Sequence, residues 1–152
     1  SQIEVVVHPQ SILHSAVQYA DGGIMGQMGV PDMKLPIQYA LFYPDRRPMD
    51  IGRVDLCKLG SLTFEKPDTE TFQGLALAYR AAERGGSLPT VFNAANEKAV
   101  ALFLDKKIRF LEIPELIGAA MDAHQVTENP TVEEILAAET ETYEYIKTKF
   151  GE

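Results

Sequence analysis

The chain of 152 residues has no tryptophan and a single cysteine, Cys57. One thiol excludes an internal disulfide and a zinc centre built from several cysteines. No apolar run approaches the roughly 20 residues that a bilayer-spanning helix needs. No basic stretch followed by an apolar one opens the chain, so no retained secretory signal is expected. Cations are outnumbered, with 14 Lys and Arg against 22 Asp and Glu and a net charge of −8. That balance argues against nucleic acid or an anionic membrane surface as a partner. The patterns H-E-x-x-H, paired C-x-x-C, G-x-x-x-x-G-K-[ST] and G-x-G-x-x-G are all missing, and the three histidines have no metal-ligand spacing.

What is present is ordinary globular material, 45% hydrophobic and 24% charged. The length suits about one domain and can bury roughly two thirds of the unfolded surface, so the fold needs no covalent staple. Charge is uneven along it. Residues 1–67 carry six basic and seven acidic side chains, whereas 68–152 carry eight and fifteen. Solvated helix faces in the second half account for such a bias.

The first half reads as strands and turns. Residues 3–8 (IEVVVH) are β-branched and stop at Pro9, which predicts a strand. Residues 12–19 and 24–28 flank Asp21-Gly22-Gly23, which predicts a hairpin. With Asp21 and Gly22 as a two-residue turn, Tyr19 faces Ile24, Val17 faces Gly26 and Ser15 faces Met28. One face then carries Leu13, Val17, Tyr19, Ile24 and Met28. The other carries His14, Ala16, Gln18, Met25, Gln27 and Gly29, and a slip of one residue would exchange them. Pro36 opens a short helix near its first turn. Residues 54–67 read as an extended connection with at most a short strand at Leu62-Thr63-Phe64.

The second half has helical period. Phe72, Leu75, Tyr79 and Ala82 mark a helix stopped by Gly85-Gly86. A second runs from Asn93 to Lys106 with Ala94, Val100, Ala101 and Leu104 inward, and Pro114 opens a third that ends near His124. Thr131-Val-Glu-Glu134 is a capping box that opens a fourth, which stops before Gly151. The fold class is therefore α+β: a hairpin unit, an extended linker and a C-terminal four-helix bundle.

Residues alone supply no complete active site. His14 on a polar strand face could donate a hydrogen bond to an anionic ligand, although from the residues alone a solvated histidine bonded to its neighbours fits better. His8 satisfies loop backbone, and His124 caps a helix C-terminus. Arg46-Arg47 could clamp a phosphate or simply be solvated. Asn93 reads as an N-cap and Cys57 as packing. Ser11 and Ser15 near His14 lack a placed carboxylate and an oxyanion-hole motif, which weakens a hydrolase reading.

The runs His8-Pro-Gln-Ser11-Ile-Leu-His14-Ser15 and Gly29-Val-Pro31-Asp32-Met33-Lys-Leu-Pro36-Ile37 change this picture. Together with Leu62-Thr63-Phe64, Pro67-Asp68, Asn93-Ala-Ala-Asn96-Glu97 and Phe103-Leu104, they make the chain resemble the 1-deoxy-D-xylulose 5-phosphate reductoisomerase family over essentially its whole length. The resemblance implies that residues 1–53 are the end of a central catalytic domain, 54–67 a linker and 68–152 a C-terminal helical bundle. It implies NADPH and a divalent metal, magnesium or manganese, as cofactors of the complete enzyme, with neither held tightly by this stretch alone. It also implies a phosphosugar substrate, homodimerisation through the hairpin, and a location in the bacterial cytoplasm or in a plastid.

Site roles follow from the resemblance in the same way. His14 becomes the active-site residue that orients substrate, and Ser11 a substrate contact at the pocket edge. Pro31 and Met33 become an apolar wall beside the nicotinamide. No metal ligand is assigned, because those of the family match positions before Ser1. Departures from the family pattern are small: Ala16, Gly23, and the absence of Pro after Phe72. A stand-alone, non-catalytic dimerisation module is the alternative, with the hairpin edge and the acidic bundle as its working surfaces.

Overall fold

The computed structural model describes residues 2–150, without the Phe150 side chain. The expected helix stop at Gly151 lies outside the described residues. The chain forms two compact units, one of residues 4–67 and one of residues 68–152 joined by the first three.

The first unit holds the sheet. Strands β1 (Leu13–Gln18) and β2 (Ile24–Met28) pair antiparallel. Their register is one residue away from the expected one: Gln18 pairs with Ile24, Val17 with Met25 and Ala16 with Gly26. The cause is the turn. Tyr19 N–H donates to Gly23 O at 2.9 Å and Gly22 N–H to Tyr19 O at 3.0 Å, so residues 20–22 form a three-residue loop. Gly22 takes φ +86°, the left-handed residue that closes such a loop. The slip puts Val17 and Tyr19 on the face of Met25, and both strands are exposed on both faces. The apolar face expected from the sequence is therefore not a buried one among the described residues.

A second irregularity lies at the far end. Pairing shifts between Leu13 and Ser15, so His14 is the extra residue of a β-bulge. His14 has no paired position of its own, whereas the sequence register implied Gly29, and Gln27 pairs with Ser15.

Three other expectations for this unit are corrected. Residues 3–8 form no strand: Val7 alone bridges, to Glu65, with reciprocal N–H···O bonds of 2.9 Å. Strand propensity needs a paired neighbour, and only one position has one. The 54–67 connection contains a single helical turn, α2 (Leu56–Leu59), after α1 (Lys34–Phe42). Asp55 Oδ1 caps α2 by accepting from Cys57 and Lys58 N–H at 3.0 and 3.1 Å, and Gly60 at φ +75° ends it. Cys57 is exposed on that turn rather than packed.

The second unit is helical: α3 (Gly74–Arg84), α4 (Leu88–Leu104), α5 (Glu112–Ala123) and α6 (Val132–Phe150). Helix α4 packs against the other three. Its buried stripe is Leu88, Val91, Ala95, Ala99 and Leu102, which meets Ala81 of α3, Leu116, Ile117, Ala120 and Met121 of α5, and Ala138 and Ile146 of α6. Alanines at Ala95, Ala99, Ala120 and Ala138 leave only a methyl between neighbouring helices, which lets their backbones approach closely.

Of the expected inward residues Ala94 is buried, but others differ. Helix α4 begins at Leu88, with Pro89 in its first turn, so Asn93 is inside the helix and not its cap. Ala101 and Leu104 are exposed, and so is Ala82 of α3, whereas Leu77 and Ala81 point to the core. Phe72 lies before α3 and meets Phe110 edge to face at 6.3 Å. Thr131 and Glu134 form the expected capping box, with reciprocal bonds of 3.2 and 2.8 Å. His124 does more than cap α5. Its Nε2 is 2.7 Å from Oγ of buried Ser87, which also accepts from Thr127 N–H at 2.9 Å.

Candidate functional site

Residues 8–14 and their neighbours form the most heavily bonded polar region of the first unit. His8 to Ser11 make a turn closed by Ser11 N–H donating to His8 O at 3.0 Å. Ser11 has φ +51°, in the left-handed region that L-residues other than Asn and Asp rarely enter. The chain then runs through Ile12, whose carbonyl accepts from Gly29 N–H at 3.0 Å, into the bulge at His14. Ser11 and His14 are both exposed, as ligand-contacting side chains must be.

His14 Nδ1 lies 3.1 Å from Gln27 Oε1. With an amide oxygen as partner, Nδ1 carries the hydrogen, and Nε2 of the neutral ring is an acceptor. The bulge matters here, because an extra residue re-aims its side chain relative to the regular pleat. No bond links His14 to Ser11 or Ser15 among the described residues, so the arrangement is not a serine nucleophile with its base.

The segment 62–65 supports the turn from outside. Gln10 Nε2 donates to Thr63 Oγ1 at 2.8 Å, and Thr63 N–H donates back to Gln10 Oε1 at 3.2 Å. His8 Nδ1 is 2.8 Å from Thr63 O and so carries its hydrogen there. The His8 ring stacks on Phe64 with centroids 4.7 Å apart and 17° between planes. Its Nε2 is buried and has no partner among the described residues. The sequence assigns Gln10 no role, and the short strand it allows at Leu62-Thr63-Phe64 does not form. No spacing rule pairs side chains 53 residues apart.

Pro31 and Met33 stand at the entry to α1, where Asp32 Oδ1 accepts from Lys34 N–H at 2.9 Å and fixes the first turn. Both are exposed, Met33 at 71% of its full surface. Arg46 and Arg47 stack on α1, with their guanidinium carbons 4.1 Å from the Tyr39 centroid and 4.9 Å from that of Phe42. Both remain exposed to solvent, as a solvated reading expects, while they stack on the rings. Stacking of cations on aromatic faces holds the 44–53 loop to the helix.

Among the described residues no three His, Cys, Asp or Glu side chains converge as metal ligands. No step below is derived through a divalent metal. The marked pKa shift belongs to the helical unit. Tyr143 donates to Glu97 at 3.0 Å and lies 3.2 Å from Glu139, and these acceptors, with partial burial, push its hydroxyl up to about 12.

A bulged hairpin and a polar turn with Ser11 at positive φ in one unit, and helices α3 to α6 in the other, define an α+β scaffold. The chain belongs to the DXP reductoisomerase C-terminal domain family, whose model matches residues 28–145. It is 59% identical over 150 residues to the 1-deoxy-D-xylulose 5-phosphate reductoisomerase of Agathobacter rectalis, covering 99% of this chain and 40% of that protein. Against the protein of the same name from Acetivibrio thermocellus it is 57% identical over 134 residues, covering 88% and 35%. Among solved structures, the Zymomonas mobilis reductoisomerase in complex with NADPH matches with a TM-score of 0.89 and 40% identity, over 97% of this chain and 39% of that one. DOX-P reductoisomerase in complex with NADPH, fosmidomycin and magnesium matches with a TM-score of 0.88 and 37% identity, over 95% and 38%. The chain thus spans about two fifths of the length of the curated relatives it matches.

Proposed function

We propose that this chain is the C-terminal part of an NADPH-dependent reductoisomerase that converts 1-deoxy-D-xylulose 5-phosphate to 2-C-methyl-D-erythritol 4-phosphate, a step of non-mevalonate isoprenoid synthesis. The observation that carries the reading is 59% identity across 99% of the chain to a protein of that name. Residues 1–53 complete the catalytic domain, 54–67 link, and 68–152 form a four-helix bundle. Division into units that meet at residues 67 and 68 supports that boundary.

In this reading Ser11 and His14 contact the phosphosugar. His14, with Nδ1 held by Gln27, faces the substrate through Nε2 and orients it. Ser11, raised on its left-handed turn, supplies a second polar contact. NADPH delivers hydride when bound. Pro31 and Met33 would give it an apolar contact, and because the sequence has no glycine-rich phosphate cradle, the binding energy for the cofactor would come from residues outside this sequence. Apolar cover of this kind keeps water from a hydride-transfer site. Alone, the polypeptide turns nothing over. The hairpin carries the homodimer contact, a role supported by two strands exposed on both faces. No helix of the described residues is long and apolar enough to cross a membrane. The bacterial sources of the named relatives support a cytoplasmic location.

The test is NADPH oxidation driven by 1-deoxy-D-xylulose 5-phosphate with magnesium. It is run on the complete protein that carries this chain and on the 152-residue polypeptide. Turnover by the first and none by the second is expected. No turnover by the complete protein would overturn the assignment, and metal-dependent turnover by the polypeptide would overturn its incompleteness.

A further inference from the structure

The connecting segment 54–67 reads as a passive link, yet one of its residues is gripped at every polar group. Thr63 gives its N–H to Gln10 Oε1 at 3.2 Å and its Oγ1 accepts from Gln10 Nε2 at 2.8 Å. Its carbonyl accepts from His8 Nδ1 at 2.8 Å. Beside it, Phe64 stacks on the His8 ring and Glu65 exchanges two backbone bonds with Val7. The grip falls on the turn that holds Ser11 at φ +51° and that leads, three residues on, to the bulged His14.

We propose that Thr63 is a positioning residue, which acts through Gln10 and His8 to hold Ser11 and His14 in their substrate-facing geometry. The proposal rests on the reading that Ser11 and His14 contact the phosphosugar. Three physical arguments support it. A non-glycine residue at positive φ persists only where its surroundings over-determine it, and the turn has few other bonds to do so. Both ends of the Gln10 amide are used on one residue, which fixes its orientation as a single bond would not. The bond to a carbonyl commits His8 to the Nδ1–H form, so the ring cannot swing without leaving Thr63 O unpaired. A displacement of about 1 Å in a substrate contact is enough to lower turnover by about a hundredfold.

Two arms test it separately. In the first, amide and imidazole NMR spectra of the complete protein that carries this chain compare wild type with Thr63→Val, Thr63→Ser, His8→Asn and His8→Gln. Asn can replace the Nδ1–H donor and Gln cannot, whereas Ser keeps the hydroxyl that Val removes. Thr63→Val and His8→Gln are expected to shift the Ser11 and His14 signals, and Thr63→Ser and His8→Asn to leave them near wild type. Unmoved Ser11 and His14 signals in Thr63→Val and His8→Gln would overturn the positioning role, whatever catalysis does. In the second arm, the same variants in the complete protein are assayed well below their melting temperatures. A tenfold or greater fall in kcat/KM for Thr63→Val and His8→Gln, restored in Thr63→Ser and His8→Asn, is expected. A fall in melting temperature with unchanged kcat/KM would reduce the clamp to a stabilising contact and overturn the proposal. If His14→Gln keeps wild-type kinetics while the NMR shifts remain, the assignment of the substrate contacts fails and the coupling to Thr63 stands.

Discussion

His14 Nδ1 and Gln27 Oε1 face each other at 3.1 Å across the one bulge of the hairpin. Gln27 thereby sets which ring nitrogen of His14 is free. Replacing His14 with Gln in the complete protein should lower kcat/KM by about a hundredfold or more, within the range for a lost acid–base or positioning group. Gln27→Ala should cost less, about tenfold, because the ring is kept but its tautomer and orientation are no longer fixed. Steady-state kinetics on both variants decide this, and near-normal values for His14→Gln remove it from the site.

Gly86 cannot carry a side chain. It sits at φ +59°, and a Cβ there would approach Thr127 O to 2.5 Å and Val126 Cγ1 to 2.8 Å. Backbone strain and a steric clash act together in Gly86→Ala, which should destabilise the helical unit by about 2 kcal/mol or more. Urea unfolding followed by helical circular dichroism measures it. A loss below about 0.5 kcal/mol would mean that the 126–127 backbone yields freely.

Ser87, only 1% exposed, ties the start of α4 to the end of α5. Ser87→Ala removes the acceptor of Thr127 N–H and the partner of His124 Nε2 at once. Each orphaned group costs about 1–3 kcal/mol when buried, and less where water can reach it. The variant should therefore unfold at clearly lower urea, and Ser87→Ala combined with His124→Ala should cost less than the sum of the two. Additive losses would show that the Ser87–His124 bond contributes nothing.

Tyr143 should ionise well above the ordinary tyrosine range. Hydrogen bonding to Glu97, then partial burial, then the Glu139 contact hold its proton to about 12 against an ordinary value of 10.0. The folded chain binds this proton more tightly than the unfolded chain does. The stability it contributes is thus complete below about pH 10 and lost as pH rises through about 12. Absorbance titration at alkaline pH should show a high-pH component that Tyr143→Phe deletes. A Tyr143 component that ionises near 10 would contradict the Glu97 bond.

Much of the fold is legible in local residue chemistry. The Thr131–Glu134 box shows because a capping hydroxyl and its reciprocal carboxylate are three residues apart by geometry. Gly85-Gly86 ends α3 because only glycine relaxes at positive φ. Helical period marks α3 to α6, although not their inward faces. The α4 stripe at Leu88, Val91, Ala95, Ala99 and Leu102 follows from where α5 and α6 lie, and no single-helix pattern records that.

By itself, the sequence determined that the chain is α+β, that it carries no metal motif or glycine-rich phosphate loop, and that two short runs near its start set its family. Tertiary structure decided the rest. Hairpin register turned on whether the loop took two residues or three, a choice among turn energies that differ little, and it moved Val17 and Tyr19 to the other face. The bulge that aims His14 and the Thr63 grip on Gln10 and His8 depend on segments 13 and 53 residues apart meeting in space. Contacts between distant segments are set by chain closure and packing, and local sequence carries no period that would announce them.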